Sequence, residues 1–180
     1  MIYLFLADGF EECEALAPLD ILRRGGIQVK TVGVGKEYIT GTHGITVKAD
    51  ILEGQVVLDD KLQGVILPGG MPGTNNLESN ETVKRSVSFA NENQKLVCAI
   101  CAAPKILGGM GLLNNKNATC FPGFEKDLIG AKLSSYYVVQ DGNVITAKGV
   151  GVAFDFGFKI LENLTDKTTV EDLRKKMQFS

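Results

Sequence analysis

Short apolar runs that alternate with helical segments constrain this chain more than anything else in its sequence. Ile2 to Ala7, Ile27 to Val34, Gly64 to Leu67 and Leu96 to Ile100 each read as buried strands. Between them lie segments of helical character: Glu11 to Arg24, stopped by Gly25-Gly26, and a run that Asn80 caps and that extends to about Asn91. Strand–helix–strand units of this kind build a parallel sheet covered on both faces. The expectation is an α/β three-layer sandwich over a single domain of residues 1–180. Pro18 predicts an interruption of the first helix, and residues 36–52 predict a small hairpin or excursion with Gly turns. Asp141-Gly142 predicts a hairpin between Tyr136–Gln140 and Asn143–Ala147. Val152 to Leu164 and Val170 to Met177 read as closing helices.

Charge and composition exclude several function classes. Hydrophobic residues make up 44% and charged residues 22%, the balance of a folded globular chain. The net charge is −2 and no basic block stands out, so nucleic-acid binding has no electrostatic support. No segment approaches the length of a membrane span, and the first apolar run is too short for a signal peptide. Four cysteines without a dense framework predict a reducing cytoplasm. The single histidine, His43, lies in a Gly-rich turn, and it lacks metal-ligand spacing with the cysteines, so no metal or other cofactor is expected. Gly33-Val34-Gly35 lacks the third glycine of a dinucleotide fingerprint.

Chemistry concentrates at Cys101. The run Leu96-Val97-Cys98-Ala99-Ile100 ends at this thiol, and Ala102-Ala103-Pro104 predicts a helix starting at once, proline being tolerated in a first turn. A sharp strand-to-helix turn exposes its side chain at the carboxyl end of a sheet, the logic of a nucleophile elbow with Cys in place of Ser. Free N–H groups and a helix dipole there are expected to favour the thiolate. Cys98 and Cys101 spell C-x-x-C. On one extended strand their Cα atoms would lie about 10 Å apart, beyond disulfide reach. A thioredoxin-like reading is therefore rejected.

Two other strand ends carry unusual residues. After Leu67 come Pro68-Gly69-Gly70, whose backbone can approach a ligand closely, and the N–H groups of Gly70 and Ala102 together suit an oxyanion hole. After Ala7 come Asp8-Gly9-Phe10-Glu11-Glu12-Cys13-Glu14. Its glutamates suit a helix N-terminus, and any one of them close to the thiol would stay protonated and act as acid/base. Residue chemistry does not choose among Glu11, Glu12 and Glu14.

These three segments resemble the ThiJ/PfpI family, in particular its branch of oxidative-stress proteins. Arg23-Arg24-Gly25-Gly26 and Lys148-Gly149-Val150-Gly151 match it in character, so the resemblance covers nearly the whole chain. It implies a flavodoxin-like fold and a homodimer. It places Cys101 at the family's reactive elbow and Glu14 as the glutamate that hydrogen-bonds it. Gly69, Gly70 and Ala102 match the backbone groups of the pocket, with Phe121 and Gly149 lining it. Two departures bear on mechanism. Ala102 stands where the protease-like branch has a histidine, and Phe121 where some relatives have one. Without a Cys–His dyad, peptide hydrolysis lacks its base. The resemblance implies a glyoxalase- or deglycase-like enzyme acting on small α-oxoaldehydes or glycated adducts through Cys101 and Glu14. The alternatives are a redox sensor that oxidises at Cys101 and a chaperone-like dimer.

Overall fold

Ile2, Leu4 and Leu6 of the first apolar run point to one side of a strand, and Tyr3 and Phe5 to the other. All five are buried, as expected for a strand in the middle of a two-sided layer. The computed structural model describes residues 1–179. In chain order the elements begin with β1 (Ile2–Leu6), α1 (Glu12–Arg24), β2 (Val29–Gly33), β3 (Tyr38–Thr40), β4 (Thr46–Lys48) and β5 (Ile51–Leu52). Next come β6 (Gly64–Leu67), α2 (Gly73–Ser79), α3 (Glu81–Glu92), β7 (Leu96–Ile100) and α4 (Pro104–Gly109). The last are β8 (Asn117–Ala118), β9 (Lys132–Leu133), β10 (Val138–Asp141), β11 (Val144–Ala147), α5 (Ala153–Glu162) and α6 (Lys167–Lys176).

Seven strands form the main sheet in the order β10-β11-β7-β6-β1-β2-β5. Every neighbouring pair is parallel except the β10–β11 hairpin at one edge. One face is covered by α1, α5 and α6, whose Ile21, Leu22, Phe156, Phe158 and Leu173 pack on Leu4, Leu6, Cys98 and Ile100. Leu77, Val83, Val87, Ile106 and Leu107 of α2, α3 and α4 cover the other face, against Phe5, Val65, Val97 and Ala99. This is the mostly parallel three-layer α/β sandwich that the alternating runs predict.

Four local features differ from the sequence reading. Helix α1 runs unbroken through Pro18. The proline removes one backbone bond, to the Glu14 carbonyl four residues earlier, but the helix is held by its buried face and its contact with α5. Helix α4 starts at Pro104 rather than at once after Cys101, because residues 101–103 form a turn. Helix α2 fills a stretch before the Asn80 cap to which the sequence reading assigns no element, and that cap is present, accepting from the Val83 N–H at 3.0 Å. Helix α6 begins at Lys167, capped by Asp166, rather than at Val170. The excursion at 36–52 is the antiparallel β3–β4 hairpin followed by the short edge strand β5.

Candidate active site

The carboxyl ends of β1, β6 and β7 lie side by side in the sheet, so their three loops meet. Cys101 follows β7 directly and has φ 65°, a left-handed backbone that a non-glycine residue rarely adopts. The elbow is pinned on both sides. Cys101 N–H donates to the Ala147 carbonyl at 2.9 Å, and its carbonyl accepts from Phe121 N–H at 2.9 Å. The thiol is half-buried, and the N–H groups of Ala102 and Gly70 face its sulfur.

Glu14 comes from the first turn of α1 and is 1% exposed. Its Oε2 accepts from Gly69 N–H at 3.0 Å, the N–H of Val150 also faces the carboxyl, and the Cys101 thiol stands against it. Gly69 is obligatory here for space. A Cβ on it would lie 2.5 Å from Glu14 Oε2 and 2.6 Å from Cys101 Cβ. The Gly69 N–H is therefore bound to the carboxylate, while Gly70 and Ala102 are the donors turned toward sulfur. Gly70 has φ 89° and would carry a side chain into the β1–α1 loop. Val150 is the site residue that sequence reasoning missed. It contributes only its backbone N–H, and no residue type signals that.

The three glutamates divide by direction around the helix. Glu11 is the N-cap of α1, and its carboxylate accepts from Glu14 N–H at 2.7 Å. Glu12 turns away toward the β3–β4 hairpin. It accepts from His43 N–H at 2.7 Å and lies 2.8 Å from His43 Nδ1. Oxygen and nitrogen atoms of Glu11, Glu12 and His43 lie within 4.8 Å of one another, but Glu12 already uses its oxygens to hold the hairpin. Burial alone would raise Glu12, yet the His43 ring and N–H outweigh it and hold the carboxyl at about 2. The His43 side chain remains 69% exposed, bound to Glu12 and not to the thiol.

Burial pushes Glu14 up to about 7, and the hydrogen bonds from Cys101, Gly69 and Val150 only partly offset it. Burial also pushes the Cys101 thiol up to about 12, with the Glu14 charge adding to it against the pull of the Ala102 and Gly70 N–H groups. This corrects the expectation of a thiolate favoured by a helix dipole. The helix has only six residues and starts three positions later, whereas Glu14 is adjacent. One proton is shared by a coupled thiol–carboxyl pair. The sulfur is hard to ionise while Glu14 is charged, and that opposition falls away once Glu14 holds the proton.

Phe121 is 47% exposed and its ring lies on the Gly149 backbone, where a Cβ would meet it at 3.3 Å. Gly149 also borders Glu14: the same Cβ would lie 3.8 Å from Oε1. The structure thus brings Cys101, Glu14, Gly69, Gly70 and Ala102 to one point, with Gly149 and Phe121 on its rim.

A strained strand-end cysteine, facing a buried carboxyl from the first helix of a parallel α/β sandwich, defines a class of cysteine-elbow proteins. The model of the DJ-1/PfpI family matches residues 1–163, and the chain belongs to that family. The Drosophila melanogaster protein dj-1beta is 34% identical over 175 residues, 96% of this chain and 93% of its own length. Its crystal structure superposes with a TM-score of 0.92 at 33% identity, covering 99% of this chain and 97% of that one, so the two share the flavodoxin-like fold. A deglycase of Pyrococcus abyssi is 31% identical over 152 residues, 83% of this chain and 90% of its own. A Toxoplasma gondii DJ-1 structure, described as oxidized, gives a TM-score of 0.91 at 26% identity over 99% of this chain and 98% of that one. Among the described residues no helix is long and apolar enough to cross a membrane.

Proposed function

We propose that this protein is a cysteine-dependent enzyme of small α-oxoaldehydes or their adducts, glyoxalase- or deglycase-like, with Cys101 as nucleophile and Glu14 as acid/base. The observation that carries the reading is the thiol standing against a carboxyl that is 1% exposed, whose burial raises it to about 7. Such a carboxyl exchanges a proton readily near neutral pH. Cys101 sulfur attacks the aldehyde carbon, its proton passing to Glu14 and then to the carbonyl oxygen, which gives a hemithioacetal. Glu14 next removes the C1 hydrogen as a proton and returns one to C2, while the C1 hydroxyl proton passes to the C2 oxygen through the enediol, leaving a 2-hydroxy thioester. Water cleaves the C–S bond, releasing the hydroxy acid and restoring the thiol. The N–H groups of Gly70 and Ala102 stabilise the oxyanion that forms on attack. No histidine is required by these steps. The name of the Pyrococcus relative agrees with chemistry on glycated adducts.

A second reading is a redox sensor, in which a peroxide oxidises Cys101 to sulfenic and then sulfinic acid. It is favoured by the same two N–H groups, which suit sulfinate oxygens, and by the oxidized state described for the Toxoplasma relative. The single domain of residues 1–180, the homodimer and the cytoplasmic location are part of the proposal. They rest on family membership and composition.

Glutathione-independent consumption of methylglyoxal by reduced protein tests the enzyme reading. We expect many turnovers per Cys101 in the wild type and a loss of about a hundredfold or more in Cys101→Ser and Glu14→Gln, the scale of a lost nucleophile or acid/base. A wild type that reacts once with peroxide and never turns over aldehyde would leave the sensor reading.

A further inference from the structure

A pocket of about 550 Å³ opens beside the elbow, lined chiefly by Phe121, Pro122, Tyr137, Lys148, Gly149 and Val150. That volume lies within the range of pockets that enclose ligands far larger than a three-carbon aldehyde. Its inner wall is the Gly149–Val150 backbone that also borders Glu14, so one glycine separates the pocket from the carboxyl. Phe121, whose ring lies on Gly149, is tied to the elbow by its N–H bond to the Cys101 carbonyl.

Two features of the lining say what fits. Phe121 and Tyr137 leave 47% and 65% of their surfaces exposed, offering flat apolar faces. Lys148 is half-buried, with its ammonium 4.9 Å from the Tyr137 ring centroid. None of the ion pairs among the described residues includes it. A lysine ammonium carries three donors, and the ring face satisfies none of them as a hydrogen bond would. This pocket therefore combines aromatic faces with one cation that lacks an anion.

We propose that Lys148 is a specificity residue and that the site selects α-oxoaldehydes, or their adducts, that carry a carboxylate on a planar or apolar substituent. The substituent lies between Phe121 and Tyr137, its carboxylate meets Lys148, and the aldehyde carbon reaches Cys101. The substrate part of this inference rests on the Cys101–Glu14 reading above. The anion preference of the pocket does not.

Two measurements separate them. The first compares kcat/KM for 4-carboxyphenylglyoxal and phenylglyoxal. The second compares rates of Cys101 alkylation by iodoacetate and iodoacetamide, which need no turnover. Both are run on wild type, Lys148→Met, Lys148→Glu and Lys148→Arg. The wild type and Lys148→Arg should favour the anionic reagent. Lys148→Met should lower both ratios about fivefold, the scale of a partly solvated ion pair, and Lys148→Glu should lower them further. If neither aldehyde turns over, the enzyme reading falls, and the alkylation ratio still decides the anion preference. Ratios that are the same in all four proteins would overturn the inference.

Discussion

Glu14 sets the pH behaviour of the site because it is buried with its charge opposed. Its carboxyl stands at about 7 when folded, against 4.5 for an ordinary glutamate. A raised carboxyl binds its proton more tightly folded than unfolded. Its contribution to stability is complete below about 4.5 and is lost as pH rises through about 7. Urea unfolding at about pH 5 and about pH 8 should show the wild type losing about 2–3 kcal/mol more than Glu14→Gln over that interval. An equal loss in both proteins would mean that the carboxyl is not held in its neutral form. Glu14 also shows where residue-level reading stops. Glu11, Glu12 and Glu14 are chemically alike, and helix geometry turns each in a different direction, toward the cap, the hairpin and the thiol. Family motifs singled out Glu14, and no property of the side chain would have.

The packing of α1 on α5 holds Glu14 in place. Gly157 of α5 is the close-approach point: a Cβ there would lie 2.8 Å from Ile21 Cδ1 and 2.9 Å from Pro18 Cα. Alanine at a helix interior gains about 1 kcal/mol over glycine. Overpacking a filled contact costs about 1–3 kcal/mol, and the backbone atom of Pro18 cannot swing aside. Overpacking should win. Gly157→Ala is expected to melt at a lower temperature and, by shifting α1, to reduce aldehyde turnover; a higher melting temperature with full activity would refute this account. Elements were legible where a local signal was strong. The apolar runs of β1 and β7 and the Asn80 cap lie where sequence placed them, and the β10–β11 hairpin is present one residue out of register, with Asp141 ending β10 and Gly142-Asn143 forming the turn. Helix α2, Gly-Thr-Asn-Asn-Leu-Glu-Ser, has no apolar period, and β8 and β9 pair over two residues each. Such elements exist through their neighbours. The continuity of α1 through Pro18 is likewise a consequence of packing on α5 that sequence does not display.

The whole molecule is asymmetric about its sheet. The layer of α1, α5 and α6 carries Glu14, whereas α2, α3 and α4 supply the opposite face of the core. A cavity in the second layer should cost stability and spare chemistry. Val87 of α3 is fully buried there, and Val87→Ala should lose about 1–2 kcal/mol in denaturant unfolding. Its kcat/KM should stay within about twofold of wild type at a temperature where both are folded, since only interactions with the transition state enter that ratio. A large loss of turnover would show that the layers are coupled through the sheet.

The left-handed backbone at Cys101 sets two selective pressures against each other. Glycine would occupy that conformation with less strain than any residue bearing a side chain. A library of variants sorted only for folding would drift toward glycine at position 101 and discard the thiol. Sorting for reactivity would hold the cysteine and tolerate a less robust chain. Directed evolution of this protein under the two regimes should therefore part company at a single codon.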